Sequence, residues 1–549
     1  MSQPEQPQGI ASPYAAPKRG LDPAVARVIG LALLVPALIA LMLAYAAPTV
    51  TSVVDSFYRK QPFRDVQSEF VGLDNYERVF TQGFGSALGI TLLITLPLLL
   101  TLLVGGPVVA WLAHRSGETG RRLTRVVLVP LLVLFSPVGV AVAWYADRRT
   151  DMLRDYPRLG LTWTTWLILF GAVLAVSVTV FLAVLRRRAD EPRSVTAALV
   201  VGALLGLGGL AYGLQFFDLP YMLARGGRNT ATLMNVALQG TFMRVDLGAG
   251  AALLTLVGIP LALLGVAAVL IVALSGLRVR WVPDAGRRAP SALATVAVIV
   301  LLVGCLAVVA YVLWPWFGQF GQFDEPAGPR GRLDTGPIAI NTWVPPLLSA
   351  FVGVLLAALA GFGIGALRPL GRFSELLLLP FAPWLFVTPT MQAFDAFNSL
   401  GASGNLNTTA SLIPPVWINI PALVLFAVLF RGLSEDWRAG RRSIHTALLP
   451  ALPMAALAVL VTWLVNAQSL MWPMVFANKP ELFTGPVALV QLWQSMRVDG
   501  LPVNLALPVA AIVGFALAAA ALQWFYLDKL SIRAGKDEDL APADRAATG

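Results

Sequence analysis

The chain has 549 residues, of which 57% are apolar and only 13% are charged, with a formal net charge of +10. Soluble proteins carry about one quarter charged residues, so this composition excludes a soluble protein and places most of the chain in lipid. The single cysteine, Cys305, excludes an intramolecular disulfide, and the two histidines, His114 and His445, cannot form a metal centre unaided.

Long apolar stretches dominate the chain. A helix needs roughly 20 apolar residues to cross the hydrocarbon core of a bilayer, and the sequence predicts about twelve transmembrane helices in an all-α polytopic membrane protein. The predicted spans are residues 28–47, 88–112, 126–144, 162–185, 195–214, 247–273, 291–316, 346–367, 376–391, 412–429, 447–467 and 501–525.

The segments outside the spans give the predicted domain boundaries. Residues 1–27 lack the pattern of a cleaved secretory signal and are predicted to be a disordered cytosolic tail. Two six-span parts, residues 28–275 and 291–525, flank a basic cytosolic linker at 276–290. Residues 526–549 are predicted to be a second disordered cytosolic tail.

The charge distribution predicts the orientation. With both termini in the cytosol, the inside segments contain 25 Lys and Arg and 14 acidic residues, and the outside segments contain 15 and 16. Nearly the whole positive excess therefore lies on one side, which is the positive-inside pattern and not a nucleic-acid surface. We expect a multi-pass protein of the bacterial plasma membrane.

A weak internal repeat relates the two parts. Gln215, Pro220 and Ala224 recur as Gln468, Pro473 and Ala477, at an offset of 253 residues and after the fifth predicted span of each part. An even number of spans per part gives a parallel repeat, with a pseudo-two-fold axis along the membrane normal. A pathway would then lie between the two parts.

Several kinds of chemistry are missing. The predicted spans contain no ionisable residue in their interiors, which disfavours a proton- or ion-coupled carrier. No phosphate-binding loop of the G-x-x-x-x-G-K-[ST] type is present, so a partner chain would have to hydrolyse ATP. The sequence therefore predicts no cofactor, no metal site, no catalytic residue and no enzyme activity of its own.

Two stretches of the N-terminal part carry a family resemblance. Residues 70–80 read FVGLDNYERVF and resemble the F-x-G-L-x-N-Y-x-x-x-F signature of sugar-uptake ABC importer permeases of the maltose and glycerol-phosphate type. Residues 216–227 read FFDLPYMLARGG and resemble the F-D-x-x-Y-x-L-T-x-G-G-P segment of that family. Arg228 stands where the family usually has proline.

The C-terminal part resembles the partner permease of the same family. Residues 469–487 read SLMWPMVFANKPELFTGPV and resemble N-D-F-x-W-P-L-x-x-x-x-x-P-E-L-x-T-x-P-V. The chain therefore looks like two permease subunits fused head to tail. The resemblance implies ATP-binding cassette ATPase subunits and an extracytoplasmic solute-binding protein as partners, and a carbohydrate or similar polar solute.

The resemblance also implies site residues. For the aromatic residues among them, packing or an interfacial belt is the alternative to solute contact. The expected substrate path comprises Phe216, Phe217, Asp218, Tyr221, Gln468, Trp472 and Phe476, and the expected contact with the binding protein comprises Asn478, Lys479 and Glu481.

The expected ATPase-docking loops depart from the family pattern. Residues 186–194 are too short for the family's docking helix, and residues 433–440 lack its Glu-Ala-Ala. This departure leaves a second hypothesis open, a permease-derived scaffold or sensor that no longer transports. The residues expected to contact the ATPase are Glu435, Asp436, Arg438, Gly440 and Pro450.

Overall fold

The computed structural model describes most of the chain. The described residues are 22–60, 68–147, 149, 151–187, 195–224, 227, 229–283, 289–320, 327–328, 331–332, 334–402, 404, 406–438, 443–495 and 502–535, without the side chains of 327–328, 331–332, 398–402 and 436. We refer to residues 22–283 as the N-terminal part and to residues 289–535 as the C-terminal part.

The N-terminal part is built from helices, three of which contain a single π-helical turn. Its elements are α1 (Pro23–Asp55), β1 (Tyr58–Arg59), β2 (Glu69–Phe70), α2 (Asp74–Thr81), α3 (Phe84–Arg115), α4 (Gly117–Val133), α5 (Pro137–Ala146), α6 (Asp151–Asp155), α7 (Pro157–Leu185), α8 (Val195–Leu214), α9 (Asp218–Ala224), α10 (Leu233–Leu238, continued by Gln239–Met243), α11 (Leu247–Ser275) and β3 (Arg278–Trp281).

The C-terminal part follows a similar order. Its elements are α12 (Ala292–Gly318), β4 (Ala327–Gly328), β5 (Gly331–Arg332), α13 (Thr335–Leu367), the 3₁₀ helix α14 (Gly371–Trp384), α15 (Pro389–Ala402), α16 (Ile420–Leu433), α17 (Glu435–Arg438), α18 (His445–Ala467), α19 (Met471–Phe476), α20 (Gly485–Gln494), α21 (Val509–Lys529) and β6 (Leu530–Arg533), with short 3₁₀ turns at Thr409–Leu412, Pro480–Leu482 and Val503–Leu505.

Side-chain caps explain where many of these helices begin. A side-chain oxygen of the residue before the helix accepts a hydrogen bond from a backbone N–H of the first turn, which would otherwise have no partner. The residues that cap helices in this way are Asp22, Asp246, Ser291, Asp334 and Asn419.

The prediction of an all-α polytopic membrane protein is confirmed. Within the described residues, nine helices are long and apolar enough to cross a membrane. Two further spans are bent pairs, α4 with α5 (72°) and α14 with α15 (65°), which raise the number to eleven. The tenth predicted span corresponds to α16, whose 14 residues cover only about 21 Å at 1.5 Å per residue.

Some helices extend beyond the predicted spans and include ionisable residues. Asp395 lies on α15 and is buried, and Arg431 lies on α16 and is also buried. The expectation of spans without ionisable residues therefore holds only for the narrower sequence boundaries. Asp395 accepts hydrogen bonds from Ser52 (2.5 Å) and Thr49 (3.5 Å) of α1, which stabilise the buried carboxylate.

The two parts pack their helices in matching ways. In the N-terminal part α3 contacts α7 and α8, and in the C-terminal part α13 contacts α16 and α18. The first helix of each part crosses to the other part, because α1 packs on α13 and α12 packs on α3. The last helices cross as well: α11 packs on α14, and α21 packs on α4.

A two-stranded antiparallel sheet joins the ends of the two parts. β3 pairs with β6 in the register Arg278–Arg533, Val279–Ile532 and Arg280–Ser531. Adding the repeat offset of 253 to residues 278, 279 and 280 gives residues 531, 532 and 533. A local two-fold axis through the Val279–Ile532 pair therefore exchanges the two strands.

Neighbouring helices cover this sheet on both sides. Helix α16 of the C-terminal part packs on β3, and α7 of the N-terminal part packs on β6. A Cβ atom at Gly432 would lie 2.0 Å from the backbone oxygen of Val279, so only glycine lets α16 approach this closely. Gly276, at φ +64°, ends α11 and turns the chain into β3.

The sheet corrects two predicted boundaries, and the start of α1 corrects a third. Residues 276–290 were predicted to be a linker and 526–549 a disordered tail, but β3 lies in the first range and β6 in the second. Each strand is too short to form alone and becomes stable by pairing with the other, which sequence periodicity does not reveal. The first tail is also shorter than predicted, because α1 begins at Pro23.

Candidate functional site

A cavity of about 90 Å³, which we call the central cavity, lies between the two parts. Four chain segments form its wall, together with Leu169 of α7: residues 135–137 and 212–219 from the N-terminal part, and residues 388–390 and 465–469 from the C-terminal part. Adding 253 to 135 gives 388, and adding 253 to 215 gives 468. The cavity is therefore formed by two repeat-related pairs of segments.

The first pair of segments consists of the breaks in the two bent helix pairs. Pro137 begins α5, and a residue before proline is disfavoured in helical conformation, so Ser136 (φ −138°, ψ 72°) interrupts the helix. Pro389 begins α15 after the break at residues 385–388. Broken helices expose backbone groups within the membrane and are tolerated where they line a cavity.

Gln215 forms hydrogen bonds with backbone groups at the helix break in the C-terminal part. Its Nε2 donates to the backbone oxygens of Phe386 (2.8 Å) and Ala211 (3.0 Å). Its Oε1 accepts from the backbone N–H (2.8 Å) and the hydroxyl (2.9 Å) of Thr388. The side chain is buried and fully hydrogen-bonded, so it holds α8 against the start of α15.

Gln468, the repeat counterpart of Gln215, has a different environment. Its Nε2 donates to the backbone oxygen of Ala506 (2.8 Å). Its Oε1 is buried and has no hydrogen-bond partner among the described residues, and the same is true of Nδ2 of Asn466. Both side chains line the central cavity, so they present an acceptor and a donor that a bound molecule can satisfy.

Asp218 brings a carboxyl group to the same cavity. Its Oδ1 is buried and has no hydrogen-bond partner within the described part of the chain. Burial raises the pKa of Asp218 to about 7, and the backbone N–H groups of Leu470 and Met471 oppose that rise. The carboxyl group thus interacts with the backbone of the opposite part of the chain.

The seven predicted substrate-path residues fall into two groups. Phe216, Phe217, Asp218 and Gln468 line the central cavity. The indole N–H of Trp472 donates to Ser411 O at 2.9 Å, and its ring packs on Phe476 at 4.4 Å between ring centroids. Both rings are fully buried, as the packing alternative predicts. Tyr221 stacks on Phe217 at 5.1 Å and lies beside Gln494.

The cavity wall includes residues that were not selected from the sequence. Phe135 and Thr388 lie at the breaks of the two bent helix pairs, and Tyr212 and Asn466 precede the repeated glutamines by three and two residues. Pro137 and Pro389 mark the breaks and were visible in the sequence. The pairing of these breaks across the repeat requires the fold.

The predicted ATPase-contact residues lie near the β3–β6 sheet. Glu435 forms ion pairs with Arg280 (2.6 Å) and Arg278 (3.4 Å). Arg438 donates to the backbone oxygens of Gly365 (2.9 Å) and Arg431 (2.8 Å). Pro450 lies in the half-buried 3₁₀ turn Leu449–Ala451. Gly440 and the side chain of Asp436 lie outside the described residues, and docking itself stays a prediction.

The predicted binding-protein contacts lie in the segment between α19 and α20. Asn478, Lys479 and Glu481 are exposed. The backbone N–H of Asn478 donates to Oδ1 of Asn407 at 2.7 Å, and the backbone oxygen of Glu481 accepts from Asn341 at 2.8 Å. These bonds fix the backbone and leave the side chain of Glu481 directed to solvent.

The 70–80 motif forms a strand and the short helix α2. Asn75 is buried, and its Nδ2 donates to the backbone oxygens of Ser56 (2.7 Å) and Tyr58 (2.9 Å) just after α1. The hydroxyl of Tyr76 is 2.7 Å from Oγ of Ser56. Gly72, at φ +57°, makes the turn before α2. The Asn-Tyr pair therefore anchors α2 to the end of α1.

A buried ionic cluster lies near the sheet. Asp528 of α21 forms a bidentate contact with Arg121 (2.8 and 3.2 Å) and contacts Arg125 at 3.4 Å and Arg186 at 3.5 Å. Arg186 also donates to the backbone oxygens of Val282 and Pro283. Burial lowers the pKa of Arg186, and Asp528 opposes that shift. Arg122 contacts Asp528 as well, at 3.6 Å, so one carboxylate joins four arginines of the opposite part.

Comparison of the chain with protein-family models and with curated proteins gives no match. The resemblance to sugar-uptake permeases therefore rests on the motif residues themselves. The structural features that bear on function are the repeat-related cavity, its broken helices and the packing of the helices around it.

Proposed function

We propose that the chain is a membrane permease in which two six-span parts enclose one solute pathway, with a pseudo-two-fold axis along the membrane normal. The observation that carries this proposal is the central cavity, whose wall consists of repeat-related segments from both parts. Transporters commonly bind their solutes at such repeat interfaces, beside broken helices.

The helix packing supports two equivalent parts. α1 and α12 exchange between the parts, as do α11 and α21, and the β3–β6 sheet obeys the same offset of 253 residues. With α16 counted as a short span, the nine long helices and two bent pairs give twelve spans. An even number per part places both termini on one side, and the positive-inside pattern assigns that side to the cytosol.

The described cavity corresponds to a closed pathway. Its volume of about 90 Å³ is well below the roughly 300 Å³ at which ligand pockets begin. A carbohydrate-sized solute would enter only after the two parts move apart. On the family resemblance, ATP-binding cassette subunits drive that movement and an extracytoplasmic binding protein delivers the solute to a plasma-membrane permease.

A specific observation favours the alternative function, a scaffold or sensor derived from a permease. Glu435 and Arg438, two of the expected ATPase contacts, have intramolecular partners, and α17 is only four residues long. A rigid docking helix is what transmits force in the family that the chain resembles. An ion-coupled carrier is a third and weaker hypothesis, to which the buried Asp395 gives some support.

Thiol labelling tests the pathway directly. In a Cys305→Ala background, Ser469→Cys places a thiol in the wall of the central cavity, and Val461→Cys places one on the exposed face of the same helix region. We expect a membrane-impermeant, cationic methanethiosulfonate reagent to label the cavity thiol in vesicles and to leave the lipid-facing thiol unlabelled. Equal labelling, or no labelling at residue 469 from either side both with and without ATP, would contradict a pathway.

Co-purification then separates the two main functions. We expect a pull-down from native membranes to recover ATP-binding cassette subunits, and ATP to change the labelling rate at residue 469. Recovery of other proteins only, together with labelling that ATP never changes, would favour the scaffold or sensor.

A further inference from the structure

Asp218 introduces a negative charge that the described part of the protein does not neutralise. The ion pairs formed by described residues do not include Asp218, and its Oδ1 has no hydrogen-bond donor among them. Tyr212, at the end of α8, is an ionisable neighbour of Asp218. Two further ionisable residues lie beside Leu223, near the end of α9: Tyr145, which donates to Leu223 O, and Arg154, which lines another cavity with Leu223. The carboxyl group is half-buried, and among the described residues only the backbone N–H groups of Leu470 and Met471 offset its charge, so a proton or a cationic ligand would stabilise it further.

Gln468 adds a second acceptor to the same cavity. Its side chain is 2% exposed, and its Oε1 lacks a partner within the described structure, whereas Oε1 of Gln215 accepts two hydrogen bonds from Thr388. Two unpartnered acceptors in one cavity match a ligand that carries several donors and no acceptor. A protonated amine has this property, since its N–H groups donate and cannot accept.

The rest of the wall distinguishes an organic cation from a metal ion. Four aromatic residues line the central cavity: Phe135, Tyr212, Phe216 and Phe217. Calcium and magnesium prefer six or more oxygen ligands, and the described residues contain no cluster of three or more metal-binding side chains. Aromatic rings beside a carboxylate instead suit a cation that bears carbon, through cation–π and apolar contact. A volume of about 90 Å³ accommodates a small ammonium group.

We propose that the central cavity binds a protonated organic amine, with Oδ1 of Asp218 and Oε1 of Gln468 accepting hydrogen bonds from its N–H groups. Nδ2 of Asn466 donates to a hydroxyl or carbonyl oxygen elsewhere on the same ligand. This inference deepens the proposed permease function, on which it rests for its biological meaning: the solute would carry an amine.

The ionisation of Asp218 gives the binding a pH dependence. Burial raises the pKa of Asp218 to about 7, so the carboxylate that attracts the amine is present above this pH and is lost as the pH falls through it. With that value the ionised fraction falls about tenfold between pH 8 and pH 6, and amine affinity falls by the same factor. A simple alkylamine stays protonated throughout this range.

Thermal unfolding of the full chain in lipid nanodiscs tests the proposal. The probe is ethylammonium chloride, compared with sodium chloride at equal concentration and with ethanol as the uncharged molecule of the same shape. We expect ethylammonium alone to raise the Tm saturably, by about 2 °C or more at pH 8, and to require about ten times more ligand at pH 6. Ethanol and sodium should have no comparable effect.

Two variants locate the site. Asp218→Asn keeps the shape of the side chain and removes its charge, so it should abolish the ethylammonium shift. Asp395→Asn removes the charge of another buried carboxylate, which has hydroxyl partners and lines a different cavity, and should leave the shift intact. Gln468→Met should weaken the shift, and the pH dependence of the wild-type shift tests the proposal if Asp218→Asn does not fold.

Each alternative result identifies a different ligand and overturns the proposal. An equal response to sodium that Asp218→Asn abolishes would assign an inorganic cation site. An equal response to ethanol, or a response that survives Asp218→Asn, would assign an uncharged ligand or a site elsewhere. No shift with any probe would mean that the closed cavity binds no amine. Because these measurements need neither ATPase nor transport, the failure of either proposal is distinguishable from failure of the other.

Discussion

The N-terminal and C-terminal parts share the same helix packing but differ in the hydrogen bonds and charges of their polar residues. Gln215 fills all its hydrogen bonds at the break before α15, whereas Gln468 leaves Oε1 without a partner in the described structure. Near the sheet, the carboxylate of Asp528, which belongs to the C-terminal part, is shared by four arginines of the N-terminal part: Arg121, Arg122, Arg125 and Arg186. Apolar packing therefore preserves the pseudo-symmetry, whereas the hydrogen bonds and charges of the polar groups differ between the two parts.

We expect the largest difference in the free energy of unfolding between variants of two buried carboxylates, Asp528 and Glu375. Asp528→Asn leaves four arginines without their shared counter-charge, two of them at most 3% exposed, and should lower the free energy of unfolding by about 4 kcal/mol. Glu375→Gln should lower it by about 2 kcal/mol, because Glu375 has two arginine partners instead of four, Arg431 at 3.0 Å and Arg368 at 3.5 Å, both from its own part. Denaturant unfolding in mild detergent measures both variants, and equal losses would contradict a special role for Asp528 in joining the parts.

We expect the next largest difference in the free energy of unfolding between variants of the two repeated glutamines, Gln215 and Gln468. Gln215→Leu leaves the backbone groups of Phe386 and Thr388 buried without partners and should lower the free energy of unfolding by about 3 kcal/mol. Gln468→Leu removes one hydrogen bond, to Ala506, and should cost about 1 kcal/mol. The same unfolding assay compares them. A larger loss for the Gln468 variant would show that the open acceptor is satisfied in the folded protein.

The sequence predicted the fold more completely than the site. Hydrophobic length was enough for the membrane class and for most spans, because burial in lipid depends on composition over about 20 residues. The repeat at Gln215 and Gln468 also pointed to the right place in the fold. Asn466 and Thr388 were missed, since their proximity depends on how two broken helices meet across the repeat.

Aromatic residues limited the prediction of individual site residues. Phe216 and Trp472 occupy similar motifs, yet one lines the central cavity and the other packs fully buried on Phe476. Sequence alone does not separate these outcomes, because a large ring favours both a packed core and a ligand wall. The β3–β6 sheet was also not predicted, because each short strand is stabilised by a partner that lies far away in the sequence.

We expect the smallest difference in the free energy of unfolding between variants of Thr91 and Thr342, which make the same kind of hydrogen bonds in the two parts. Oγ1 of Thr91 accepts from the first backbone N–H of α10, at Leu233 (3.1 Å), and donates to Ala87 O. Thr342 does the same in the C-terminal part, accepting from the first N–H of α20 at Gly485 (2.8 Å). Thr→Val substitutions at residues 91 and 342 keep the side-chain shape and leave one buried N–H without its acceptor. Each should cost about 1 kcal/mol.

Agreement between these two variants decides whether the pseudo-symmetry is energetic as well as geometric. The two losses should match within about 0.5 kcal/mol, and the double variant should show their sum, since the two sites share no partner. A loss confined to one threonine would mean that only one part depends on this contact. The asymmetry at the glutamines would then reflect a general difference in stability between the parts. Equal losses would instead confine the asymmetry to the central cavity and the ionic cluster, where bound solute and contact between the parts require chemistry that a symmetric pair does not provide.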